Sequence, residues 1–580
     1  MSPDQLGFLR RATLTTDDPA GDTAADTQDT TEAPTERAGW KRHPAWRYAL
    51  TTLACLLVLF ALVAPNEFDQ FSVASFLRIP AEALVGAALL LVLPPRPRRI
   101  VAIVLGVILG LLTIVKLLDV GFFIALSRPF DPVGDWAFFG PGFNFLVGAV
   151  GQVGAVVAVI LVVIVAIGLV LLMGLAVGRL ARIAARRRVA VTRTTAVLAV
   201  VWLVCAFTGV QFATGQPFAA RTAATLAYDD VRQVGIDIRD QRQFNRQLAT
   251  DPVNSIPPGD LLTGLRGKNV LLVFVESYGR VAVQDSGFSP PIDALLDNGT
   301  RQLAAAGFQA RSAFLTSSTV GGASWLAHST VQSGLFVNSQ QRYDELLAAN
   351  RTSLSGAFKK AGWRIVGDDP ANFDPLPKST LYDYDKFYNE TNVGYHGPRF
   401  SYATIPDQFT FNAFQHDELD KPGHQPVMAE IDLVSSHSPW APLPRMVPWR
   451  QLGDGSIFDP MVHEGTQPRQ ILSSAAKLQV AYGQSIQYSL TALIDYLKLY
   501  GDQNTVMIFL GDHQPAPIIT GQGATHDVPT VVVAKDPKVI NAISSWGWDP
   551  GLRPGRDAPV WLMSTFRQRF LNAFDTRPTH

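Results

Sequence analysis

Cysteine is nearly missing: the chain of 580 residues carries two, Cys55 and Cys205, and both lie in apolar runs. That excludes a disulfide framework and a thiolate metal site, so a domain outside the cytoplasm must stand on its core alone. Net charge is missing too. Lys+Arg and Asp+Glu number 49 each, which removes the electrostatic footprint of a nucleic-acid binder. Residues 1–45 lack any apolar period; rich in Thr, Asp, Ala and Pro, they read as a disordered cytoplasmic tail. No cleavable signal peptide is expected at the start, because the first apolar run begins near Tyr48. There is no internal repeat.

What is abundant is apolar sequence, and it is unevenly spread. Five runs, at 48–65, 75–94, 100–126, 146–178 and 194–214, are each near or above the ~20 residues that span a bilayer. They define a transmembrane domain at 46–214. The basic residues of the short loops set its orientation. Lys41, Arg42 and Arg47 precede the first run, Arg96, Arg98 and Arg99 follow the second, and six arginines lie at 179–193. The first loop has no Lys or Arg and the third only Arg128. The expectation is a multi-pass cell-membrane protein with its N-terminus inside and everything after residue 215 outside. Lys116 and Asp119 lie three apart in the third run, which puts them on one helical face. They read either as a mutually neutralising pair or as a contact to a lipid-linked substrate.

Residues 215–267 read as a linker. Ala223–Leu248 has an amphipathic helical pattern, and Pro252, Pro257 and Pro258 then break it. From Lys268 strands and helices alternate, which predicts an α/β domain at 268–580 with a mostly parallel central sheet between helical layers. Strands are expected at 269–275, 364–366, 427–434, 505–510 and 530–533, and a long helix at about 470–500.

Ligands of such sheets gather at the carboxyl ends of strands, and chemistry-bearing residues fall there. The apolar run NVLLVFV ends in Glu276, and VMIFL runs into Gly511, Asp512 and His513. Between them, STVGGASWLAHSTVQSGL opens a helix at Ser324 after Gly321 and Gly322. A hydroxyl at a helix N-terminus faces unpaired N–H groups and suits phosphate or sulfate chemistry. On this stretch alone it reads first as a structural N-cap; the acidic and histidine residues at the strand ends on either side favour the nucleophile. Glu276, Ser324, Asp512 and His513 together offer three oxygens and one nitrogen to a divalent cation.

On the E of VFVES, the hydroxyl at the helix start and the DH of FLGDH, the chain resembles the sulfatase branch of the alkaline phosphatase superfamily. Its layout is most similar to lipoteichoic acid synthases and related membrane phosphoglycerol or phosphoethanolamine transferases. The resemblance implies five membrane helices, a linker and an extracytoplasmic catalytic domain. It also implies one divalent metal ion (Mn, Zn, Mg or Ca), with or without a second, held by Glu276, Asp512, His513 and the nucleophile. Gly334 follows Ser324 by ten residues, as in the sulfatase signature, but Leu326 and His328 stand where that signature has Pro or Ala and Arg. An unmodified hydroxyl, suited to phosphoryl transfer, is therefore expected, with Thr319 as the rival nucleophile. His437 resembles the family histidine that binds substrate phosphate or assists the leaving group, and His526 one near the phosphate or a second metal. His328, one turn after Ser324, is a further catalytic candidate; Trp325 and Trp440 are candidates for stacking on a sugar. The implied partner is a lipid-linked or envelope phospho- or sulfo-ester, and the implied reaction moves a phosphoglycerol-like group onto an envelope polymer or glycolipid. The alternatives are a sulfatase or phosphatase releasing a free ester, and a catalytically silent envelope sensor or scaffold.

Overall fold

The computed structural model describes residues 44–576 apart from 67–69, 133, 214–215, 221, 373–380, 401–403 and 522. Nearly all of the expected N-terminal tail lies outside the described residues.

The apolar segment forms helices α1 (Pro44–Val63), α2 (Ala81–Val92), α3 (Pro95–Leu126), α4 (Phe139–Arg186) and α5 (Arg188–Thr208). Within them four spans are long and apolar enough to cross a membrane: Ala45–Val63, Pro95–Leu126, Gly151–Arg186 and Arg188–Thr208. The second apolar run departs from expectation. Its helix has 12 residues, about 18 Å of rise, because Ile79–Pro80 is drawn into a parallel pairing with Ala219–Ala220. Small residues set the closest helix crossing. A Cβ on Gly106 of α3 would stand 2.6 Å from the Gly174 Cα of α4, and one on Gly110 2.9 Å from the Val170 Cα.

Lys116 and Asp119 share a face of α3 as expected, yet neither bonds the other. Lys116 Nζ donates to the carbonyls of Ala61 (3.0 Å) and Ala64 (2.8 Å), at the end of α1. Asp119 accepts from Asn66 Nδ2 (3.0 Å) and the Phe130 N–H (3.1 Å). Both charges thus satisfy backbone and loop groups where α1 and α3 end, groups that have no water to turn to inside a bilayer.

The linker helix α6 (Thr222–Ala249) follows. Arg351 donates to the carbonyls of Gln247 and Thr250 at its C-terminal end. Just beyond, Asp251 and Arg567 form a buried ion pair at 2.9 Å, each side chain about 2% exposed.

The C-terminal domain is built from β1 (Asn269–Val275), α7 (Ser289–Ala305), β2 (Gln309–Thr316), α8 (Ser324–Ser333), β3 (Arg364–Asp369), β4 (Lys386–Asn389), β5 (Val427–Leu433), α9 (Ala475–Tyr500), β6 (Thr505–Gly511), β7 (Asp527–Ala534), β8 (Asp549–Pro550), β9 (Val560–Leu562) and α10 (Phe566–Phe574). The strands form one nine-stranded sheet in the order β8-β2-β7-β6-β1-β5-β3-β4, with β9 also on β2. It is mixed. The run β6-β1-β5-β3-β4 is parallel, as expected, whereas β7 lies antiparallel to both β6 and β2, and β8 antiparallel to β2. Alternate residues of β1 feed two cores. Leu271, Val273 and Val275 join α7 and α9 on one face; Val270, Leu272 and Phe274 join α8 and α10 on the other.

Candidate metal and phosphoester site

Strand register brings the site together. In the β6–β1 ladder Gly511 lies opposite Val275, so Asp512 and Glu276, one residue on in each strand, emerge side by side, about 5 Å apart as neighbouring strands require. Ser277, the next residue, sits in the left-handed region at φ 57°, a strained conformation for a residue with a side chain. It is held there by its N–H donating to Asp512 Oδ1 (2.8 Å) and by Tyr482 Oη donating to its carbonyl (2.8 Å). Ser277 Oγ in turn donates to Glu276 Oε1 (2.7 Å). None of these supporting contacts was read from the sequence, where Ser277 is one more polar residue after a strand.

Ser324 is the first residue of α8, delivered by the turn Thr319–Ala323. The Gly321 N–H donates to the Gln514 carbonyl (2.8 Å), which ties this turn to the one carrying Asp512 and His513. Gly321 has φ 77°, and any Cβ there would overlap the Ala125 carbonyl at the end of α3. Ala323 caps the helix at φ 61°. Thr319, the rival hydroxyl, points back into the turn and donates to the Gly322 carbonyl (2.7 Å).

Four donor atoms converge. Ser324 Oγ donates to Glu276 Oε2 (3.0 Å) and lies 3.2 Å from His513 Nε2. His513 Nε2 is 3.5 Å from both Glu276 Oε1 and Asp512 Oδ2. Nδ1 of His513 donates to the Gln514 carbonyl (2.8 Å), which fixes the tautomer and leaves Nε2 as a lone pair aimed inward. Asp512 Oδ2 is buried and has no hydrogen-bond partner. One hydroxyl proton therefore faces two acceptors beside an orphaned carboxylate oxygen. Three oxygens and an imidazole nitrogen with that deficit of positive charge fit a divalent cation of the Zn or Mn type. Burial and the nearby Glu276 push Asp512 up to about 7. Burial alone would also raise Glu276, but the His513 and His437 imidazoles outweigh it and hold Glu276 down to about 2. Burial works against charge on His513, yet Asp512 and Glu276 raise its pKa.

The other candidates are placed as follows. His437 is half-buried in the turn after β5, its Nδ1 donating to the Ser438 carbonyl (2.7 Å), and it is close enough to Glu276 to act on its charge. Ser436 of the same turn donates to the Glu276 carbonyl (2.6 Å). His526, whose pKa is lowered by burial, accepts the Ser317 N–H on its carbonyl and lies within electrostatic range of Arg128. His328 makes no hydrogen bond to the four donors among the described contacts; it is stacked on Phe274 with ring centroids 3.9 Å apart, and burial pushes it down to about 3. Trp440 is 5% exposed and packs edge-on against Tyr482, so it offers no open face to a sugar. Trp325 donates its indole N–H to Gln340 (2.9 Å) and leans on Phe138, just before α4.

Residues 268–536 match the family model described as Sulfatase. Solved structures similar to this chain include the lipoteichoic acid synthase LtaP from Listeria monocytogenes, at 16% identity over 54% of this chain and 74% of that one, with a TM-score of 0.35. Others are the zinc complex of the periplasmic domain of EcEptC from Escherichia coli (13%, 53% and 82%, TM-score 0.34) and the Streptococcus pyogenes phosphoglycerol transferase GacH with sn-glycerol-1-phosphate (14%, 57% and 90%, TM-score 0.32). No curated protein matches the chain.

Proposed function

We propose that the sulfatase domain at 268–536 is the catalytic part of a membrane-anchored, metal-dependent transferase. It moves a phospho-alcohol group, phosphoglycerol-like, from a lipid-linked donor onto an envelope polymer or glycolipid through a covalent Ser324 intermediate. The observation that carries the reading is the meeting of Ser324 Oγ with Glu276, Asp512 and His513 Nε2 at the N-terminus of α8. Thr319, committed to the Gly322 carbonyl, is the weaker candidate.

Glu276, Asp512, His513 and Ser324 would hold the ion. When bound, a divalent cation supplies Lewis acidity that lowers the pKa of the hydroxyl and offsets charge on a phosphoester oxygen. Glu276 Oε2, already accepting from Ser324, orients the hydroxyl, and the serine proton leaves to water. Ser324 Oγ attacks phosphorus in line; the Oγ–P bond forms as the bond to the donor alcohol breaks. The N–H groups at the start of α8 face the phosphoryl oxygens. His437 relays a proton from water to the departing alcohol, and an acceptor hydroxyl, losing its own proton to water, then displaces Ser324, which leaves as the re-protonated hydroxyl. The Sulfatase match supports a second reading in which water is the acceptor and the enzyme is an ester hydrolase.

The same reading sets the domain boundaries at 46–214 for the membrane part, 215–267 for the linker and 268–580 for the catalytic part, and places the last outside the cytoplasm. The six arginines at 179–193 support this, since four crossings alone would put that loop outside. We assign the fifth crossing to the segment around α2. Turnover of aryl phosphodiester, phosphomonoester and sulfate esters by the full chain in detergent, with Mn²⁺, Zn²⁺ or Mg²⁺, tests the chemistry. Phosphodiester cleavage that accelerates with added glycerol supports the transferase, and sulfate ester cleavage alone contradicts it.

A further inference from the structure

A second group of ligand-type side chains lies on the α8 face of the sheet and takes no part in the chemistry above. Glu430 and Asp432 are two apart in β5, so both project to the face that carries Met428 and receives Ala327 and Val331 of α8. His328 of α8 meets them there. Its Nδ1 is 3.6 Å from Asp432 Oδ2 and 3.7 Å from Glu430 Oε1, and one donor atom from each of the three residues lies within 4.8 Å of the others.

We infer that His328, Glu430 and Asp432 form a second divalent-cation site, one helical turn from Ser324. The separations are too long for hydrogen bonds. Two donors about 2.1 Å from one ion at the tetrahedral angle stand about 3.4 Å apart, close to what is observed, and the Glu276–Asp512–His513 cluster shows the same spacing. Independently, Asp432 Oδ1 is buried without a hydrogen-bond partner. Neither carboxylate has a Lys or Arg partner among the described ion pairs; His328 is the ion-pair partner of both, while Gln332 and Tyr384 bond Glu430 as neutral groups. Glu430 is almost wholly buried, and an acid left there without a cation is costly.

The surrounding groups hold the three in place. Gln332 has its amide fixed, its Oε1 accepting the Ser355 N–H (2.9 Å), so its Nε2 donates to Glu430 Oε2 and leaves Glu430 Oε1 on the side of His328. Phe274 stacks on the imidazole and sets its plane. Two carboxylates and an imidazole suit Zn²⁺ or Mn²⁺. The site does not depend on the transferase reading.

The test is metal stoichiometry. The full chain in detergent is stripped with chelator, loaded with Mn²⁺ or Zn²⁺, and its bound metal counted by elemental mass spectrometry, with thermal melts as a folding control. Wild type should hold two equivalents, Asp432→Asn and Glu430→Gln one each, and Glu276→Gln one. The pair Glu276→Gln with Asp432→Asn should hold none. A single equivalent in wild type, or two retained in Asp432→Asn and Glu430→Gln, overturns the second site. If those strand variants do not fold, His328→Gln on the helix replaces them, with the same expected loss of one equivalent. Loss of the equivalent that depends on Glu276 reports on the first site alone, so failure of one reading is separable from failure of the other.

Discussion

At the residue scale, Ser324 and Thr319 are two hydroxyls five residues apart, and their hydrogen bonds separate them. Ser324→Ala removes an attacking oxygen, and turnover should fall on the order of a millionfold, while bound metal is largely retained through Glu276, Asp512 and His513. Thr319→Ala removes one hydrogen bond inside a turn, so it should cost about 1 kcal/mol of stability and leave most activity. Steady-state rates with metal content measured on the same samples check both. Asp512→Asn and His513→Ala should instead lose the metal and the turnover together; full metal in either would take that residue out of the ligand set. Glu276, Asp512 and His513 were legible in the sequence because each follows an unbroken apolar strand, where a polar residue has only the strand end to occupy. The choice between Ser324 and Thr319 was not, since it depends on which way a turn directs a side chain. Glu430 and Asp432 were hidden for a related reason: the sequence places them in a strand but does not show that α8 covers the face they share.

At the scale of elements, the linker is fastened to the domain by Asp251 and Arg567, a pair with almost no solvent contact. Arg567→Ala leaves the Asp251 carboxylate buried without its partner. A loss of 3–5 kcal/mol is typical, about the amount for breaking a buried pair from one side, and denaturant unfolding of the catalytic domain should show it. An unchanged midpoint would mean that α6 and the segment after it are not anchored there. Strands β1 and β6 were readable as continuous apolar runs, and β5 as an apolar run interrupted by Glu430 and Asp432. β2 (QARSAFLT) and the short β4, β8 and β9 were not, because polar residues interrupt them and their stability comes from neighbours in the sheet. The antiparallel direction of β7 was equally invisible: VPTVVVA is as apolar as a parallel strand, and only the path of the preceding loop sets its sense. The second apolar run gave a 12-residue helix because hydropathy counts residues and does not see Ile79–Pro80 leave the helix to pair with Ala219–Ala220.

At the scale of the whole molecule, the end of α3 touches the turn that presents Ser324, through Ala125 against Gly321, and Phe138 leans on Trp325. The end of α3 therefore helps to shape the site. The proposed orientation makes a direct prediction. In a chain with Cys55 and Cys205 replaced by Ser, a single cysteine at Ser255 should react with a membrane-impermeant maleimide on intact cells, and one at Arg187 should not. The opposite pattern would put the catalytic domain in the cytoplasm and remove an envelope substrate from consideration.

The central claim is that Ser324 becomes covalently attached to the transferred group, and mass spectrometry of the full-length protein quenched during turnover of a phosphodiester donor tests it most directly. The account predicts a phosphorus-containing adduct on the peptide carrying Ser324, with fragmentation placing it on that residue, absent from Ser324→Ala. An adduct on Thr319, or a Ser324→Ala protein with undiminished turnover, would contradict it.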